Sequence, residues 1–235
     1  MQQATFPLNI SAILIDLDGT LLHTAPELTA SANLMLDDLG YPAAPQDLLT
    51  SYIGNGVSWL VKRALTGSMD TEPNVDLYNK ALPIFEKHYT ELLLHSKPFD
   101  GVIAGLEVMR IAGFRLGCIT NKVKRYTEPL LAGSGLKHYF EIILSGDSLI
   151  EKKPHPLPLL HAAKFFGVPI EQVLLIGDSL NDSIAARAAG CPVICVSYGY
   201  NHGEPVSNLD LDAAINSLPE AMGLIKKLQP SDTST

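Results

Sequence analysis

Cysteine is scarce in this chain. There are three in 235 residues, Cys118, Cys191 and Cys195, each in or beside an apolar run and none forming a CxxC pair. An odd number without paired spacing argues against a disulfide framework and for buried thiols in a reducing compartment. Positive charge is short as well: 17 Lys and Arg stand against 25 Asp and Glu, a formal net charge of -8. Such a surface has no general attraction for nucleic acid or an anionic membrane, so an anionic ligand must be held by local features. No apolar run approaches the ~18–20 residues that cross a bilayer. Met1 to Asn9 carries no basic leader region. A cytoplasmic protein is the expectation, and oligomeric state is not readable.

Several catalytic signatures are also missing. There is no GxxxxGK phosphate loop, no HExxH and no GxSxG elbow. Gly54-Asn55-Gly56 lacks both the third glycine and the preceding strand of a dinucleotide fingerprint. The seven histidines show no metal-ligand spacing, and His88 and His95 read as helix-face residues.

What is present is the material of a globular core, with 46% hydrophobic and 18% charged residues. Ala12 to Ile15 is a short apolar run ending abruptly in Asp16, as a buried strand would. Comparable runs recur at Phe114–Ile119, Ile142–Leu144, Val173–Ile176 and Val193–Val196, with helical patterns between them. That alternation predicts an α/β fold, a doubly wound parallel sheet with a Rossmann-like core. Residues 24–96 break the rhythm. Thr24 with Glu27 spells a capping box, and Leu28, Ala32, Met35, Leu36 and Leu39 follow helical spacing up to Gly40. Further helices are expected near 55–66 and 75–95, the latter kinked or restarted at Pro83. The organisation predicted is a core of residues 1–22 and 97–235 with an inserted helical cap domain, 23–96. A polar tail, Pro230 to Thr235, closes the chain.

Parallel sheets bind ligands beyond the carboxyl ends of their strands. The residues delivered there are Asp16-Leu17-Asp18-Gly19-Thr20, Thr120-Asn121-Lys122 and Gly177-Asp178-Ser179-Leu180-Asn181-Asp182, with Lys152-Lys153-Pro154 nearby in sequence. Singly, each piece reads as well as a turn or a helix cap. Together, four acids at neighbouring strand ends demand a cause, because two carboxylates ~4 Å apart repel by roughly 4 kcal/mol at an effective dielectric near 20. A hard divalent cation with oxygen ligands, Mg2+, would relieve it. Lys122, Lys124 and Arg125 crowd a helix start, where they read as a solvated basic turn able to steer an anion. Lys62 and Arg63 read as solvated helix-face charges.

The order DxDGT, Thr120, Lys153, GDxxxD resembles the haloacid dehalogenase superfamily over nearly the whole chain, and the helical insertion after the first motif resembles its first cap type. Within it, Ile53–Val57, Thr120–Lys122, Lys153–Pro156 and Tyr198–Glu204 resemble the phosphoglycolate phosphatase branch, with Asp100 departing from the usual linker proline. The resemblance implies catalytic roles for Asp16 as nucleophile, Asp18 as acid and base, Thr120 on a phosphoryl oxygen and Lys153 as charge balance. It implies magnesium at Asp16, the Asp18 backbone carbonyl and Asp178, with Asp182 acting through water or Lys153. An acid at Asp18 implies a phosphate ester rather than a halide or phosphonate. Asn121, Gly54, Asn55 and Gly56 are the expected contacts to the substrate, a small phosphate ester and foremost 2-phosphoglycolate. Other sugar or amino-sugar phosphates, a phosphoglucomutase-like transfer, and a catalytically idle phosphate-ester sensor are the alternatives.

Overall fold

A computed structural model describes residues 5–228 of the protein; the tail Pro230 to Thr235 lies outside them. The central sheet has six parallel strands: β1 (Ala12–Ile15), β2 (Arg115–Ile119), β3 (Ile142–Leu144), β4 (Val173–Gly177), β5 (Val193–Val196) and β6 (Ala213–Ile215). Their spatial order is β3-β2-β1-β4-β5-β6. Ala12 to Ile15 pair with Arg115 to Cys118 on one side and with Val173 to Ile176 on the other. The chain therefore winds outward in both directions from β1, and the crevice where strand order reverses opens beside Asp16.

Every residue of β1, β4 and β5 is buried, as strands covered on both faces must be. Alternate side chains enter two cores. Ile13, Ile15, Leu174, Ile176, Ile194 and Val196 join one, and Ala12, Leu14, Val173, Leu175, Val193 and Cys195 join the other. The first receives Val102, Leu106 and Met109 of α5 (Val102–Ile111), and the second receives α7 (Leu157–Phe166) and α8 (Leu180–Ala189). All three cysteines are free and buried.

The insertion after β1 is helical: α1 (Ala25–Asp38), α2 (Gln46–Ser51), α3 (Val57–Thr66) and α4 (Val75–Leu92). Ala81, Phe85 and Tyr89 of α4 sit at i, i+4, i+8 and are buried on the face that packs against α1. A two-stranded antiparallel ribbon, Leu22–His23 with Lys97–Pro98, ties together the two ends of the insertion.

Two expectations need correction. The capping box at Thr24 does not form: Thr24 makes no side-chain cap, and its backbone N–H and that of Ala25 donate instead to the Tyr200 hydroxyl, at 2.8 and 2.9 Å. Glu27 accepts a hydrogen bond from Ser96 Oγ. Helix α4 passes through Pro83 without restarting, held by its buried face. Arg63 is not solvated; it is buried and donates to the carbonyls of Met69 and Tyr52, bracing the loops at both ends of α3. Strand β6 and the short α2 had no legible signal. Ala-Ala-Ile is too brief and too small to show a pattern.

Candidate active site

Asp16, Thr120 and Asp178 each directly follow the carboxyl end of a strand, whereas Lys153 lies on the loop between β3 and α7, and Gly54 to Gly56 on the cap turn between α2 and α3. Asp16 directly follows β1, and the chain then turns tightly, with the N–H groups of Leu21 and Leu22 donating to Leu17 O. Gly19 makes that turn at φ +83, and a Cβ there would lie 2.2 Å from Asp178 Oδ2. A Cβ at Gly199 would lie 2.1 Å from Asp178 Cβ, so Asp178 is clamped between two glycines. Its Oδ2 accepts the Tyr200 N–H at 2.7 Å and its Oδ1 accepts Thr20 Oγ1 at 3.3 Å.

Asp182 folds back over the end of β4, where any side chain at Gly177 would collide with it. Its Oδ2 accepts from Asp178 N, Ser179 N and Ser179 Oγ, and its Oδ1 lies 2.6 Å from Lys153 Nζ. Both oxygens are thereby committed. Lys153, 2% exposed at its side chain, reaches Asp16 Oδ1 at 2.8 Å with the same ammonium. Thr120, buried at the end of β2, points its Oγ1 into the Thr120-to-Lys122 turn, where it accepts the Lys122 N–H.

Oxygens of Asp16, Asp178 and Asp182 all lie within 4.8 Å of one another. With Lys153 as the only cation in contact with them among the described residues, three carboxylates leave a net charge of -2 if all are ionised. The cost is visible in the proton affinities. Burial, only partly opposed by Lys153, pushes Asp16 up to about 7. Burial, then the neighbouring Asp16, raises Asp178 as well. A divalent cation would neutralise the cluster, and its donors are hard oxygens suited to magnesium rather than to a soft metal. Asp16 Oδ1 is buried without an aligned hydrogen bond, and Asp178 touches no cation among the described residues. The residues fit such an ion.

Sequence reasoning misplaced Lys122. It is buried, with its ammonium 2.9 and 3.0 Å from the two oxygens of Asp18 and 5.1 Å from the ring centroid of Tyr89. Helix α6 (Lys124–Gly133) starts two residues later, so Lys122 belongs to the strand-end turn and not to the solvated helix start. That position, three residues beyond β2, was the available signal. Thr24 also reaches the site, donating from Oγ1 to Asp18 Oδ1 at 2.7 Å. Tyr200 was likewise missed: it joins Asp178 to the first turn of α1.

The cap turn lies against these strand ends. Gly54 O accepts from Asn121 Nδ2 at 3.0 Å and from Asn181 Nδ2 at 3.3 Å, Asn55 O accepts Lys152 Nζ at 2.9 Å, and Ser51 O lies 2.8 Å from His202 Nδ1. Asn121 Nδ2 also donates to Lys153 O, so in this closed arrangement its amide holds cap to core. Leu28, Ile53, Val57 and Leu60 roof a cavity of about 30 Å³ whose floor is Asp16, Asp18, Thr120 and Asp178. In this closed arrangement the cap turn bounds the size of any ester held against the strand ends.

Comparison with known proteins agrees with this geometry. A phosphoglycolate phosphatase of Thiobacillus denitrificans is 57% identical, covering 95% of this chain and 99% of that one. One from Nitrosospira multiformis is 52% identical over 94% and 98%. The crystal structure of a "predicted phosphoglycolate phosphatase" from Haemophilus somnus superposes with a TM-score of 0.86 at 34% identity, covering 91% and 96%. The haloacid dehalogenase-like hydrolase profile matches residues 13–196. With its acids at the switch point of a doubly wound sheet and a helical cap closed over them, the chain belongs to the haloacid dehalogenase-like hydrolase family.

Proposed function

We propose that the protein is a magnesium-dependent phosphatase acting on a small phosphate monoester, foremost 2-phosphoglycolate, through an aspartyl-phosphate. The observation that carries this reading is the pair at the end of β1: a buried carboxylate, Asp16, against Lys153, with a second acid, Asp18, two residues on. An Asp16 oxygen attacks phosphorus as the bond to the ester oxygen breaks, and Asp18 gives that oxygen its proton. Asp18 then takes a proton from water, whose oxygen attacks phosphorus and breaks the bond to Asp16, releasing inorganic phosphate. Lys153 offsets charge on the nucleophile and phosphoryl group, and Thr120 donates to a phosphoryl oxygen. Asp16, the Asp18 carbonyl and Asp178 would hold magnesium, which when bound neutralises phosphoryl charge. Asp182 fixes Lys153 and acts as a positioning residue.

The small roofed cavity and the names of the close relatives support a small leaving group. The test is kcat/KM for 2-phosphoglycolate, glucose phosphates, an amino-sugar 6-phosphate and pyrophosphate. The expected result is a preference for 2-phosphoglycolate. If another ester is better by about tenfold, roughly 1.4 kcal/mol, the substrate is wrong while the phosphatase chemistry stands.

A further inference from the structure

Lys122 is a cation of the pocket that the steps above leave unused. Its ammonium is buried and touches both oxygens of Asp18. Its other neighbour, Tyr89, is neutral: burial pushes that phenol up to about 12, so it supplies no counter-charge. The second cation, Lys153, is held between Asp16 and Asp182. From the cap, the pocket receives the apolar Leu28, Ile53, Val57 and Leu60, with Gly54 and Gly56. Among the described lining residues, the cap thus brings no charged side chain to the leaving group.

The proposed chemistry puts Asp18 on the leaving oxygen. An ammonium within 3.0 Å of that carboxylate is then within reach of a substituent on the carbon next to the ester oxygen. A buried ammonium with one carboxylate partner attracts a second anion strongly, because little water is present to screen it. It offers a neutral substituent only a hydrogen bond. Resting on the phosphatase reading above, we propose that Lys122 is a specificity-determining residue that binds an anionic group, a carboxylate, one carbon from the ester oxygen. Selection then comes from the core strand end, and the cap contributes size exclusion.

The test compares 2-phosphoglycolate with 2-hydroxyethyl phosphate, which replaces the carboxylate by a neutral hydroxymethyl group. In Lys122→Gln, which retains a donor toward Asp18, both rates fall. The expected signature is the ratio of the two kcat/KM values, which drops at least tenfold from wild type. A ratio held within threefold while both rates fall would overturn the proposal, since Lys122 would then only orient Asp18. Failure of the phosphatase reading looks different: wild type itself would hydrolyse neither ester. A wild type that favours the hydroxyethyl one would overturn the carboxylate assignment while the phosphatase chemistry stands. Should the variant not fold by thermal melting, inhibition of wild type decides. Glycolate is expected to bind at least tenfold more tightly than ethylene glycol, and equal inhibition would overturn the assignment.

Discussion

Lys152 offers a way to loosen the cap without touching the reacting groups. Its ammonium donates to Asn55 O at 2.9 Å and is half-buried. A hydrogen bond from a charged donor contributes about 1.5–3 kcal/mol when buried. Partial exposure reduces that to about 1 kcal/mol. Lys152→Met should therefore shift the ratio of closed to open cap by about fivefold, given that 1.4 kcal/mol is tenfold. The remaining bonds to Gly54 O and Ser51 O keep closure accessible. If only the closed form reacts, kcat/KM falls by up to the same factor, in proportion to the closed fraction lost, while the melting temperature falls by no more than about 2–4 °C. The chain carries its own reporter. Trp59, its single tryptophan, lines the groove with Asn55 and Lys152 at the seam between cap and core. Its emission should move to the red in Lys152→Met and return toward the wild-type value when inorganic phosphate and magnesium are added. Unchanged emission together with unchanged kcat/KM would refute the idea that these contacts hold the cap closed.

Asp178→Ala and Asp182→Ala should separate metal binding from architecture. The first is expected to raise the magnesium concentration for half-maximal activity the more; the second leaves Lys153 and three donors short of a partner and should cost about 3–5 kcal/mol of stability in a denaturant titration. A larger magnesium effect in Asp182→Ala would reverse that assignment. Gly19→Ala places a methyl 2.2 Å from Asp178 Oδ2 at φ +83. About 1–2 kcal/mol of backbone strain is expected, with a loss of activity that excess magnesium only partly restores; normal activity and melting would refute the clamp on Asp178.

The fold was legible because a parallel sheet buries its strands on both faces, and runs such as Val173–Ile176 and Ala12–Ile15 show this in sequence. The acids were legible because each follows such a run, and the topology brings all strand ends to one edge. What escaped was determined over long distances. The cap of α1 comes from Tyr200, about 175 residues away, and no local pattern at Thr24 and Glu27 records that alternative. Lys122 read as a solvated charge because it precedes two more basic residues. Its burial comes from Asp18 and Tyr89, contributed by the first motif and the insertion. Gly54 to Gly56 were expected as substrate contacts, and in the closed arrangement the carbonyls of Gly54 and Asn55 are engaged by core side chains.

The central claim is that Asp16 forms a bond to phosphorus, and Asp16→Asn tests it most directly. Asparagine keeps nearly the same shape beside Lys153 but is no carboxylate nucleophile. Phosphate release from 2-phosphoglycolate with saturating magnesium is measured on the purified variant, with its melting curve as the check of folding. The expected result is a folded protein whose turnover has fallen by more than about a thousandfold. A folded variant that retains more than about a thousandth of the wild-type rate would contradict covalent catalysis by Asp16.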